Sequence, residues 1–166
     1  MTPFARRGLA LFAAGLLGAC ASQPPEGDTR TGSPSRSAPL SWSQVQAMPL
    51  PAPGERLQYG PASPQYGELR LPAGAGPHPV VVMIHGGCWL SQFDLTYFSH
   101  LAAALTQQGF ATWSIEYRRI GDPDGGWPGT FLDVGAGIDH LRELAASRPL
   151  DLGRVATLGH SAGGQL

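Results

Sequence analysis

From about residue 54 onward, apolar and polar positions alternate between two periods. Gly67-Glu68-Leu69-Arg70-Leu71 switches polar and apolar at every step, which predicts a strand with one buried face, closed by Pro72, Gly74 and Gly76. Leu57 to Tyr59 is a candidate partner strand across the turn-rich Gly60-Pro61-Ala62-Ser63-Pro64. Pro79 to Ile84 is a continuous branched apolar run, as expected of a central strand covered on both faces. Tyr97 to Gln108 changes to helical spacing, with Phe98, Leu101, Ala102 and Leu105 on one side and Gly109 at the end. Ala111 to Tyr117 predicts a third strong strand. Thr130 to Ala146 predicts a second helix, with Phe131, Val134, Ile138, Leu141 and Leu144 on its buried face. A last strand, Arg154 to Leu158, runs straight into Gly159-His160-Ser161-Ala162-Gly163-Gly164. Strands alternating with helices of this length imply an α/β domain with a doubly wound, mostly parallel sheet. Ligands of such sheets bind at the carboxyl ends of the strands, where both glycine clusters of this chain lie.

Composition narrows the chemistry. A chain of 166 residues suits one domain, and 42% apolar residues suffice for a core. Only 14% of residues are charged, 11 basic against 12 acidic, so no broad field favours a polyanion and no nucleic-acid partner is expected. All 11 basic residues are arginine. The absence of lysine excludes Schiff-base and phosphate-loop lysine chemistry.

The N-terminal segment reads as an address. Arg6 and Arg7 precede an apolar run from Gly8 to Ala19, too short for the roughly 20 residues of a membrane-spanning helix. Its end, Leu17-Gly18-Ala19-Cys20, resembles the lipobox of bacterial lipoproteins. That resemblance implies a signal peptide over residues 1–20, lipidation of Cys20 and a lipid anchor in the membrane of a bacterial cell envelope. Ala21 and Ser22 after the cysteine imply sorting to the outer membrane, facing the periplasm. The alternative is an ordinary signal peptide cut near Ala19 or Ala21. Residues 21–53 are rich in Pro, Ser and Gly and are expected to form a flexible tether, leaving 54–166 as the folded part. With Cys20 lipidated, Cys88 has no disulfide partner in the chain and is expected to be a small packed residue.

Gly159-His160-Ser161-Ala162-Gly163 fits GxSxG. The chain's own glycine and serine frequencies give roughly 0.2 chance matches, so context has to carry the reading. That context is a strand before and a helix-compatible start after, as a serine on a sharp strand-to-helix turn requires. Flanking glycines are needed because such a turn leaves no room for side chains, and the serine is then exposed as a nucleophile. The second cluster, His85-Gly86-Gly87-Cys88-Trp89, follows the central strand. Its glycines could aim N–H groups at a developing oxyanion, each worth roughly 3 kcal/mol, with Ala162 adding another donor. His85 itself is expected to be structural, bonded to backbone.

From about Tyr59 onward the chain resembles the N-terminal half of an α/β-hydrolase of the esterase, lipase and kynurenine formamidase group. Hormone-sensitive-lipase relatives carry HGGG, from which Cys88 departs; formamidase-like relatives carry HGGxW, which Trp89 matches. The resemblance implies a serine hydrolase of small carboxylic esters or aryl amides, working through an acyl-enzyme on Ser161. It further implies an oxyanion hole of Gly86, Gly87 and Ala162, a substrate pocket lined by Trp89, and no cofactor or metal. It also implies a bracing pair between Asp133 and Arg118. In this fold the acid and the histidine of the triad follow the serine, whereas Ser161 is followed only by Ala162-Gly163-Gly164-Gln165-Leu166. The chain is therefore expected to be truncated after the nucleophile elbow, inactive alone and marginally folded, with an unpaired strand edge. The alternatives are a non-catalytic envelope lipoprotein and an inactive fragment.

Overall fold

The computed structural model describes residues 38–166. The expected signal peptide, Cys20 and residues 21–37 of the expected tether lie outside the described residues. Five strands form one mixed sheet: β1 (Glu55–Gln58), β2 (Tyr66–Arg70), β3 (His78–Ile84), β4 (Ala111–Ile115) and β5 (Leu150–Gly159), in spatial order β1-β2-β4-β3-β5. The β1–β2 and β2–β4 pairings are antiparallel, while β3 runs parallel to both β4 and β5.

Helices cover both faces, which explains why β3 is apolar at every position after His78. Val80, Val82 and Ile84 point into a core shared with Trp113, Ile115, Val134, Leu141 and Leu144. Val81 and Met83 point the other way, onto Phe98 and Ala102. The second face is closed by a 3-10 turn, Leu95–Phe98, leading into α2 (Ser99–Gln107). Period-2 alternation on one strand thus divides between two helical layers, the geometry of a doubly wound sheet.

Three expectations change in detail. The helix predicted over 130–146 is two helices, α3 (Gly129–Asp139) and α4 (Leu141–Ala145), labelled after α1 and α2 in chain order. The Gly137 carbonyl, which would accept from the Leu141 amide in a continuous helix, instead accepts the Trp113 indole N–H at 2.8 Å. Phe131, expected on the buried face, is partly exposed and meets Trp127 edge-on, with ring centroids 5.0 Å apart. Order also begins before residue 54. Ser41 caps a short helix, α1 (Trp42–Gln46), in a capping box with Gln44, and the Trp42 ring packs 4.9 Å from that of Tyr97. The composition of 38–53 is loop-like, but one capping box and one aromatic contact suffice to fix part of it.

β5 is longer than the predicted 154–158 and differs from its neighbours. A bulge between its pairing with Pro79 and with Val80 is braced by Asp151, which accepts from Gly153 N at 2.9 Å and Arg154 Nε at 2.6 Å. From Leu152 to Thr157 the strand is exposed.

Candidate active site

β5 ends at Gly159, and α5 (Ala162–Gln165) begins two residues after His160. Ser161, between them, has φ 53° and ψ −119°, a conformation that costs a side-chain-bearing residue about 1–3 kcal/mol. The glycines on either side show why the turn is possible. A Cβ on Gly163 would run into the carbonyl oxygens of Ile84 and His85, and one on Gly159 would strike the Gly163 carbonyl. The elbow is therefore pressed against the end of β3, with Ser161 exposed at its apex.

The loop after β3 comes to the same place. A Cβ on Gly86 would sit 3.2 Å from Ser161 Cβ and 2.8 Å from the His160 carbonyl oxygen. Gly87 has φ 117° and lies against the Phe93 side chain. Cys88 and Trp89 also have positive φ, so the loop turns sharply at three consecutive residues. Among the described residues, the amides of Gly86, Gly87 and Ala162 donate to no acceptor. Ser161, Gly86, Gly87 and Ala162 are thus brought together. Cys88 corrects an expectation, because it is exposed and not packed. In a loop of successive left-handed residues its side chain has no core to enter.

A buried network holds this loop. His85 and Glu116 are each 1% exposed, with His85 Nε2 3.0 Å from Glu116 Oε1. His85 Nδ1 lies 2.7 Å from the Gly86 carbonyl oxygen, and its ring stacks on Tyr117 at 4.4 Å. The Tyr117 hydroxyl donates to the His85 carbonyl at 2.7 Å, and burial first, then the Glu116 charge, pushes that phenol up. Glu116 also accepts from the amides of Leu95 (3.0 Å) and Tyr117 (2.9 Å) and pairs with Arg119 at 3.1 Å. One carboxylate therefore ties the end of β4 to His85 at the start of the loop after β3 and to the 3-10 turn. The sequence reading assigned Glu116 no role. Its signal is a charged residue inside an otherwise uncharged strand run, since carboxylates are seldom buried without partners.

Arg118 and Asp133 pair as the resemblance implied. Arg118 Nε and Nη2 donate to the two carboxylate oxygens at 2.8 and 2.7 Å, and the Arg118 amide adds a third bond at 2.9 Å. Burial would raise the Asp133 pKa, but the bonds from Arg118 and Gln65 outweigh it and hold the carboxyl below its ordinary range. The pair orders the segment after β4 and does not reach Ser161.

His160, next to Ser161, points away from it. Its Nδ1 lies 2.6 Å from the Tyr97 hydroxyl, with the two rings stacked at 5.4 Å. In the sequence pattern Tyr97 marks only the start of a predicted helix. No histidine among the described residues hydrogen-bonds the Ser161 hydroxyl.

Two pockets lie on this part of the molecule. One, of about 350 Å³, is lined by Trp89, Ile120, Trp127, Phe131 and, from α5, Gln165. The other, of about 360 Å³, lies between α1 and the segment before α2, with Trp42, Val45, Leu50, Phe93 and Tyr97 among its walls.

Residues 68–166 match the BD-FAE family model. Over 90 residues the chain is 32% identical to esterase LipC of Mycobacterium tuberculosis, a match covering 54% of this chain and 22% of LipC. Over 57 residues it is 38% identical to an uncharacterized 31.7 kDa protein from the traX-finO intergenic region of Escherichia coli, covering 34% of this chain and 19% of that protein. The matches thus span about a fifth of these curated relatives' length. Among solved structures, esterase B of Lactobacillus rhamnosis inhibited by a tributyrin phosphonate superposes with a TM-score of 0.63 at 27% identity, covering 74% of this chain and 41% of that enzyme.

Proposed function

The chain belongs to the BD-FAE family of esterase-like α/β-hydrolases, and from that premise we propose that it is the nucleophile-bearing part of a serine hydrolase of small carboxylic esters or aryl amides. The observation that carries this reading is the meeting of a strained, exposed Ser161 with Gly86, beside three amides that have no acceptor of their own. Ser161 Oγ attacks the substrate carbonyl carbon as its proton passes to a base. The oxyanion that forms is held by N–H groups of Gly86, Gly87 and Ala162. Collapse expels the alcohol or amine, which takes up the proton, and water then releases the acid from the acyl-enzyme. His85 and His160 are committed to Glu116 and Tyr97, and no histidine among the described residues hydrogen-bonds the Ser161 hydroxyl.

Trp89 lines the aromatic pocket with Trp127 and Phe131, a wall suited to the acyl or aryl group of the substrate. Short-chain acyl groups fit the likeness to esterase B, whose structure holds a tributyrin phosphonate. On the lipobox, Cys20 anchors the protein to the envelope membrane, facing the periplasm. Incorporation of labelled palmitate, lost in Cys20→Ala, is the expected sign. Palmitate-free protein would contradict the anchor.

A fluorophosphonate probe tests the catalytic reading. The full protein is expected to be labelled and Ser161→Ala to remain unlabelled. An unlabelled wild type would leave a binding or structural lipoprotein as the better account.

A further inference from the structure

Each N–H of the loop after β3 is one end of a planar peptide whose other end is a carbonyl pointing the opposite way. The Gly86 amide shares its peptide with the His85 carbonyl, and the Gly87 amide shares its peptide with the Gly86 carbonyl. Both carbonyls are gripped by buried side chains. The Tyr117 hydroxyl donates to the His85 carbonyl at 2.7 Å, and His85 Nδ1 donates to the Gly86 carbonyl at 2.7 Å, where the oxygen can only accept. The two donor rings are stacked on each other, 4.4 Å apart. Glu116 then fixes the His85 ring through Nε2 at 3.0 Å and is itself held by the Leu95 and Tyr117 amides and by Arg119. Packing alone does not require the Tyr117 hydroxyl, since phenylalanine would keep the ring stack.

We propose that Tyr117 and His85 are positioning residues for the hydrolysis: from behind the loop each fixes and polarises the peptide whose N–H holds the oxyanion, and Glu116 keeps His85 in that orientation. The inference rests on the serine-hydrolase reading. A rotated peptide would carry its N–H away from the developing charge, because the N–H and C=O of one plane turn together. A hydrogen bond accepted by a carbonyl also polarises its peptide, which strengthens the donor at the other end. Both side chains act from behind the loop, so their effect is confined to the stage at which negative charge builds on the carbonyl oxygen. Ground-state binding is left alone.

The test uses the full protein and p-nitrophenyl acetate. Tyr117→Phe keeps the ring stack and removes only the hydroxyl; it is expected to lower kcat about tenfold, with KM within about twofold of the wild type. His85 is tested by two amides. In His85→Asn the side-chain N–H lies near the place of Nδ1 and still reaches the Gly86 carbonyl, whereas in His85→Gln it lies near the place of Nε2 and keeps Glu116 instead. His85→Gln is therefore expected to lose about 100-fold in kcat and His85→Asn about tenfold. A merely structural role predicts the reverse order, since glutamine preserves the bond into the buried network. Circular dichroism checks that each variant folds; should a His85 variant fail to fold, Tyr117→Phe decides. In folded variants, an unchanged kcat in Tyr117→Phe, a loss confined to KM, or His85→Gln at least as active as His85→Asn would overturn the proposal and leave the hydrolase reading standing. A wild type without ester hydrolysis would overturn both.

Discussion

β4 and β5 both flank β3, both run parallel to it and both are rich in apolar residues, yet their surroundings are opposite. All five residues of β4 are buried, its two edges are paired and helices cover both of its faces. Among the described residues β5 pairs on one edge and its middle is left uncovered, with Val155 42% exposed. Among the described residues, the fully packed part of the sheet is thus the β4 half, while Ser161 follows directly on the β5 half. The elbow keeps its shape through close approach to β3 and the Gly86 loop more than through burial of its own strand.

The comparison breaks first at Trp113, which is fully buried and bonded to Gly137. Trp113→Ala is expected to cost about 3–5 kcal/mol in urea unfolding, whereas Val155→Ala on β5 costs under about 1 kcal/mol. Equal losses would show that β5 is as embedded as β4.

A smaller effect is expected at the segment joining β4 to α3. Asp133→Asn removes the bidentate partner of Arg118, at a cost of about 2 kcal/mol. Because the folded Asp133 carboxyl lies below its ordinary value, its stabilisation is present above about pH 4 and fades as the pH falls through the folded value. The wild type should therefore lose stability on acidification more steeply than Asp133→Asn, measured by unfolding midpoints between about pH 6 and 3. Parallel pH profiles would assign the acid sensitivity elsewhere.

The smallest effect is expected on the bare strand. Val155→Thr should change unfolding by no more than about 0.5 kcal/mol while reducing self-association in light scattering, since an apolar strand with an open edge invites pairing with another chain. Unchanged association would mean that this face is not sticky.

What could be read from sequence and what could not follow the same division. Period-2 and period-3.6 patterns located the strands and helices because β2, β3 and β4 are patterned by burial, and local patterning reports burial directly. The turn at Ser161 and the glycine loop after β3 were legible because steric crowding there demands glycine at fixed positions. Glu116 and Tyr97 were not, since their partners lie 31 and 63 residues away, and single-sequence periodicity carries no information about such pairs. The helix break at His140 was hidden for the same reason: it depends on an indole from β4 taking a carbonyl of α3. The ordered turn at Trp42 escaped a reading based on composition, which averages over the one capping box that matters.

The central claim is that Ser161 faces amides of Gly86, Gly87 and Ala162 across the span of one carbonyl. A crystal structure of the full protein phosphonylated on Ser161 tests it most directly. The phosphonyl oxygen is expected about 3 Å from at least two of those amide nitrogens. An oxygen directed to solvent, with all three amides out of hydrogen-bond reach, would contradict the account.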